Sequence, residues 1–119
     1  MSLHLELHAA IAEHYAGALT APLELRQDAL LARLQNGVAL EIRYAAADAY
    51  CLRWTWGDAE LCIDTAPCHG ELETAPNHFH DAGGALQPDP ITRCGAPPWH
   101  NIRDLMDALL RSPLDPRPE

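Results

Sequence analysis

Between Val38 and Ile63 apolar and polar side chains alternate with a period of two, which restricts the chain to folds built on an antiparallel sheet with one dry face. Val38, Leu40, Ile42 and Tyr44 share one parity, against Ala39, Glu41 and Arg43. Tyr50, Leu52, Trp54 and Trp56 repeat the pattern against Cys51, Arg53 and Thr55, and Leu61 and Ile63 repeat it against Cys62 and Asp64. Asn36-Gly37 and Gly57-Asp58 read as turns, the first as a two-residue hairpin. Upstream, Leu30, Ala32 and Leu34 alternate with Leu31, Arg33 and Gln35, and Leu23 and Leu25 open a further short strand. The composition of residues 25–35 also suits a helix; the junction with Asn36-Gly37 favours strand.

An apolar sheet face must be covered. Leu3, Leu7, Ile11 and Tyr15 recur every four positions, which predicts a helix over residues 2–18 with Ser2 as its N-cap. Ile102, Leu105, Met106 and Leu109 form the stripe of a second helix, with Asn101 as its cap and Trp99-His100 as an N-terminal staple. The expected architecture is α+β: an antiparallel four- to five-stranded β-meander covered by an N-terminal and a C-terminal helix. Residues 1–112 read as one domain and residues 113–119 as a mobile, Pro-rich C-terminal tail. The 119 residues suit a single domain with an ordinary core.

No apolar run reaches the ~18–20 residues that cross a bilayer, and the first residues lack the pattern of a signal peptide. The expectation is therefore a cytoplasmic protein with no membrane partner. Its four cysteines, Cys51, Cys62, Cys68 and Cys94, are expected as reduced thiols, with Cys51 and Cys62, in strand-like segments, as small core or half-buried hydrophobes. The formal charge is −9, and every basic residue is Arg. That balance disfavours RNA as a partner except at a local arginine patch.

Residues 66–98 concentrate prolines and glycines without periodicity and read as a long ordered loop. Asp64, Cys68, His69, His78, His80 and Asp81 gather in or beside its first half. Imidazoles beside carboxylates can serve as general acid and base near neutral pH. His78 and His80, two apart, point the same way in an extended segment. Three readings stay open: histidines that tie the loop to the sheet, a metal-free catalytic or binding site, and a transition-metal site, whose spacing fits no zinc signature. Arg33, Arg43 and Arg53 lie on the outer parity of separate strands and are the candidates to hold a phosphate or carboxylate. His4, His8 and His14 on the first helix read as surface residues. No phosphate-binding, dinucleotide, nucleophile-elbow or zinc-protease motif occurs. Nothing in the residues identifies a cofactor.

Asp64-Thr65-Ala66-Pro67-Cys68-His69, Pro76-Asn77-His78-Phe79-His80 and the aromatic strand at 50–56 together resemble the TumE family of small bacterial proteins. Their order matches over residues 30–110. The family pattern has His at the positions of Cys68 and Asn77 and Lys at that of Phe79, so this loop is less basic than the pattern. The resemblance implies the toxin component of a type II toxin–antitoxin pair, opposed by a helix-turn-helix antitoxin. Together with the residues above it gives the expectation of a site at Asp64, His69, His78 and His80 that acts on RNA, with Arg33, Arg43 and Arg53, read from strand parity alone, binding the substrate. The alternative is a non-catalytic domain, a divergent or inactive member that holds a protein partner on its sheet face.

Overall fold

A computed structural model describes residues 3–66 and 75–116. Helix α1 (Leu3–His14) is followed by a 3-10 turn at Ala16–Ala18. Strands β1 (Glu24–Arg26), β2 (Ala29–Arg33), β3 (Ala39–Ala46), β4 (Ala49–Trp56), β5 (Ala59–Asp64), β6 (His78–His80) and β7 (Leu86–Pro88) come next, then helix α2 (Pro98–Arg111). The strands form one antiparallel sheet in sequence order, β1 to β7.

The α+β architecture and its two helices are as expected, but the sheet has seven strands rather than four to five. The additional strands β6 and β7 lie inside the stretch read as an unbroken loop. Each is three residues long, too short to show a period of its own, and each is fixed by pairing with its neighbour. The run around Leu30 is strand, not helix. The β2–β3 hairpin is also one residue longer than a two-residue turn. Leu34 N donates to Val38 O at 2.8 Å, which leaves Gln35, Asn36 and Gly37 in the loop, with Gly37 at φ 96°. That positive φ is the glycine position of a three-residue hairpin.

The alternation places the core. Leu40, Ile42, Leu52, Trp54, Leu61 and Ile63 are each at most 1% exposed. They pack with Leu7 and Ile11 of α1 and with Ile102, Leu105, Met106 and Leu109 of α2. Phe79 of β6 joins them and stacks on Trp54, ring centroids 6.0 Å apart. The Trp54 indole donates to the carbonyl of Pro113 at 2.9 Å, so the start of the C-terminal tail is anchored on the core. Trp56 has the same parity but sits at the end of β4 and is 38% exposed, its indole donating to Asn36 O at 2.8 Å.

Both helix starts need comment. Ser2 lies outside the described residues. Asn101 does not cap α2, which begins at Pro98 with a proline in its first turn, where no backbone donor is needed. Asn101 is buried within the helix; it donates to Tyr44 Oη at 3.1 Å and to Arg93 O at 3.0 Å, and accepts from Arg93 N at 3.0 Å. Trp99 is inside the helix rather than before it and stacks against His14, centroids 5.3 Å apart. His4, read as a surface residue, accepts from Tyr44 N at 3.1 Å and so ties α1 to β3. No described helix is long and apolar enough to cross a membrane.

Two substitutions separate packing from hydrogen bonding at Trp54. Trp54→Ala leaves a large cavity and should cost about 3–5 kcal/mol. Trp54→Phe keeps a ring against Phe79 but loses the bond to Pro113, and should cost nearer 1 kcal/mol from that bond. Urea midpoints at unchanged slope measure both. Equal losses would show that Trp54 does not sit as described.

Candidate functional site

Parity puts the chemistry-bearing residues on the other face of the sheet. Residues that pair across antiparallel strands share a face, so cross-strand rows can be followed from β3 to β7. One row runs Arg43–Cys51–Asp64–His78–Pro88, and the next runs Glu41–Arg53–Cys62–His80–Leu86. Asp64 therefore stands directly opposite His78, and Cys62 opposite His80. The two imidazoles meet edge to face, centroids 5.0 Å apart. His78 is 2% exposed, with Nδ1 3.2 Å from Pro76 O, whereas His80 is half-buried. Three of the four proposed site residues thus meet where β5 and β6 pair. His69 lies outside the described residues, as does Cys68.

The middle of this patch holds a pair of thiols. Cys51 and Cys62 are diagonal neighbours across β4 and β5, with Sγ atoms 3.7 Å apart. Together with an Asp64 carboxylate oxygen, all three atoms lie within 4.8 Å of one another, and all three residues are half-buried. The hydrogen bond from Cys62 pushes the Cys51 thiol below the usual range, against the effect of burial. The same bond, then burial, pushes Cys62 up. Both shifts have one cause, the contact between the sulfurs, so a proton held between them favours one thiolate over two. Arg53 lies beside both sulfurs: burial opposes its charge, but Cys51, Cys62 and Glu60 outweigh that effect.

Two shallow concavities flank this centre and share Asp64. One, of about 600 Å³, is bordered by His4, Asp28, Arg43, Asp48, Cys51 and Asp64. The other, of about 550 Å³, is bordered by Arg53, Glu60, Cys62, Asp64, His80 and Asp81.

The three arginines share the face without forming one anion clamp. They run diagonally, one to each cross-strand row, because Arg33 pairs with Ala39, Glu41 with Arg53 and Arg43 with Cys51. Arg43 is held between Asp28 at 2.6 Å and Glu41 at 2.5 Å, and its pKa is raised by these carboxylates, Glu41 first. Arg53 lies 3.4 Å from Glu60.

Below the sheet near the same end is a polar cluster that sequence reasoning missed. Asn77 is 2% exposed and donates to Tyr50 Oη at 2.8 Å and Asp89 Oδ2 at 2.9 Å. Tyr50 Oη and Thr92 Oγ1 are 2.8 Å apart, and Thr92 also hydrogen-bonds the Asp89 carboxylate. Asp89 accepts from Ile91 N and Thr92 N, each at 2.9 Å. The cluster fixes the segment between β7 and α2 to β4, and so holds β6 in register. The one available signal was Asp89 beside Pro90 and ahead of Thr92, a turn pattern whose partners come from distant sequence.

The chain matches no family model, no curated protein and no solved structure.

Removing Asn77 takes its amide donor from both Tyr50 and Asp89 inside the buried cluster. Asn77→Ala should therefore cost about 2 kcal/mol, read as a shift in the urea midpoint; a cost near zero would mean the cluster is not closed as described. Burial, first of all, pushes the Tyr50 phenol from 10.0 up to about 12, and Asp89 and Cys94 add to this, while Thr92 and Asn77 bonds oppose it. The raised pKa favours the neutral phenol in the folded state. Its contribution to stability is thus complete below pH 10 and is lost as pH rises through about 12. Burial likewise raises Tyr15 and Tyr44. An ultraviolet titration should find none of the three phenols ionising as free tyrosine does. Half-ionisation near pH 10 would contradict this placement.

Proposed function

We propose that this domain is a non-catalytic binding module of the toxin–antitoxin kind, which holds a basic helix-turn-helix protein against the outer face of its sheet. The observation that carries this reading is electrostatic. The chain has a formal charge of −9, and Arg43, central among the candidate phosphate-binding residues, is already matched by Asp28 and Glu41. Such a surface repels a polyanion and attracts a cationic partner. A DNA-binding protein carries the complementary charge. The motif resemblance supports a partner of this type, and one concavity on the outer face and one at the adjoining end of the sheet, beside His4 of α1, can take its side chains.

A second reading, an RNA-cleaving toxin, is favoured by one observation: Asp64 faces His78 across the strand pair and His80 stands beside it. In that version one imidazole is the general base and the other the general acid at a phosphodiester. Arg53 would be the cation nearest to them in register. His78 would have to reach substrate from a position that is 2% exposed.

The neighbouring gene separates the two: the binding reading expects it to encode a helix-turn-helix protein, which is then co-expressed with this chain. The binding reading expects a complex that weakens several-fold as salt rises and that Asp28→Arg/Glu41→Arg disrupts. It also expects no growth arrest, and intact total RNA, when the chain is expressed alone. Absence of a complex at low salt overturns it. RNA cleavage abolished by His78→Ala/His80→Ala would establish the enzymatic reading instead.

A further inference from the structure

We propose that Cys51, Cys62 and Asp64 form a three-ligand site for a zinc-class divalent cation on the outer face of the sheet, with the fourth position open to solvent. This stands independently of whether a protein partner docks on the same face.

The ligand atoms are already gathered. Two sulfurs and a carboxylate oxygen lie within 4.8 Å of one another, on adjacent strands of a paired sheet rather than on a loop. The sulfur separation is also informative. Two Zn–S bonds of about 2.3 Å at a tetrahedral angle place their sulfurs about 3.8 Å apart. The two thiols stand at 3.7 Å before any ion is bound. A disulfide fits less well. Cys51 faces Asp64 and Cys62 faces Arg53, so the two cysteines are diagonal, not opposite. Diagonal Cα atoms in an antiparallel pair are about 7–8 Å apart, beyond the about 4.4–6.8 Å that a disulfide spans.

Charge and access agree with an ion. Two thiolates and a carboxylate carry three negative charges; a divalent cation neutralises two, and Arg53, opposite Cys62 and shared with Glu60, screens the third. Mixed sulfur and oxygen donors select a borderline cation such as Zn²⁺ over Mg²⁺ or Ca²⁺, which prefer oxygen alone. The ligands border both concavities, Cys51 and Asp64 the one of about 600 Å³ and Cys62 and Asp64 the one of about 550 Å³ with His80, so an ion held between them is reached from solvent. Binding releases the thiol protons to solvent. A site with three protein ligands and an open position can take water or a donor from a partner.

The test uses the full chain purified under reducing conditions with Cys68→Ser and Cys94→Ser, which leaves Cys51 and Cys62 as its only thiols. Titration with Co²⁺ should give sulfur-to-cobalt charge-transfer bands and the strong visible bands of a tetrahedral site, both bleached by Zn²⁺. Cys62→Ala should remove about half of the charge-transfer intensity and weaken binding by at least about 10–100-fold, the loss that even an outer-shell change causes. Asp64→Asn should weaken binding about tenfold while keeping both sulfur bands. Far-UV circular dichroism checks that each variant is folded. No charge-transfer band in the two-thiol protein overturns the proposal, as does binding that Asp64→Asn leaves unchanged. A mass two hydrogens lighter, marking a Cys51–Cys62 disulfide under these conditions, also overturns it.

Discussion

The structure depends on cross-strand pairing that holds β3, β4 and β5 in one register. Leu40, Trp54 and Leu61 share a row, and Ile42, Leu52 and Ile63 share the next, so each pairing adds a layer to one continuous dry surface. A slip by one residue would turn this whole surface to water and bring Glu41, Arg53 and Cys62 against the helices. Burial of six large apolar side chains in these two rows opposes that slip, and the Gly57 turn, at φ 59°, reinforces the β4–β5 alignment. What happens on the outer face follows. The side chains that meet there are those the core leaves out, and their neighbours are set by the same register.

Much of the fold was legible because a long period-two signal needs no tertiary information. The strands at 39–46, 49–56 and 59–64 and the parity of every core residue in them could be read directly. The stripes at Leu7 and Ile11 and at Ile102, Leu105, Met106 and Leu109 marked the covering helices. Strands β6 and β7 could not be read, since His78-Phe79-His80 becomes a strand only through its pairing with Cys62-Ile63-Asp64. Asn101 looked like a cap because Asn often serves there; its amide is instead committed to Tyr44 of β3 and to Arg93 in the segment that leads into α2.

The site was legible in part for the same reason. Asp64, His78 and His80 were singled out by residue type and proximity in sequence, and pairing brings them together on one face. The thiols read as small core or half-buried hydrophobes of two strands, and 11 residues of sequence separate them. Their approach is a property of two adjacent strands and the turn between them. The arginines shared a parity but not a position, because each belongs to a different row; Arg43 is matched by Asp28 from a turn and Glu41 of its own strand, and Arg53 by Glu60 of the next strand.

These facts describe a sheet whose inner face makes the domain and whose outer face concentrates soft donors, imidazoles and matched charges around Asp64. Crystals grown with Zn²⁺, with diffraction recorded on both sides of the zinc absorption edge, test that description most directly. The account predicts an anomalous peak between Cys51, Cys62 and Asp64, on the face opposite Trp54. A peak confined to the histidines of α1, or none at the thiol pair, would contradict it.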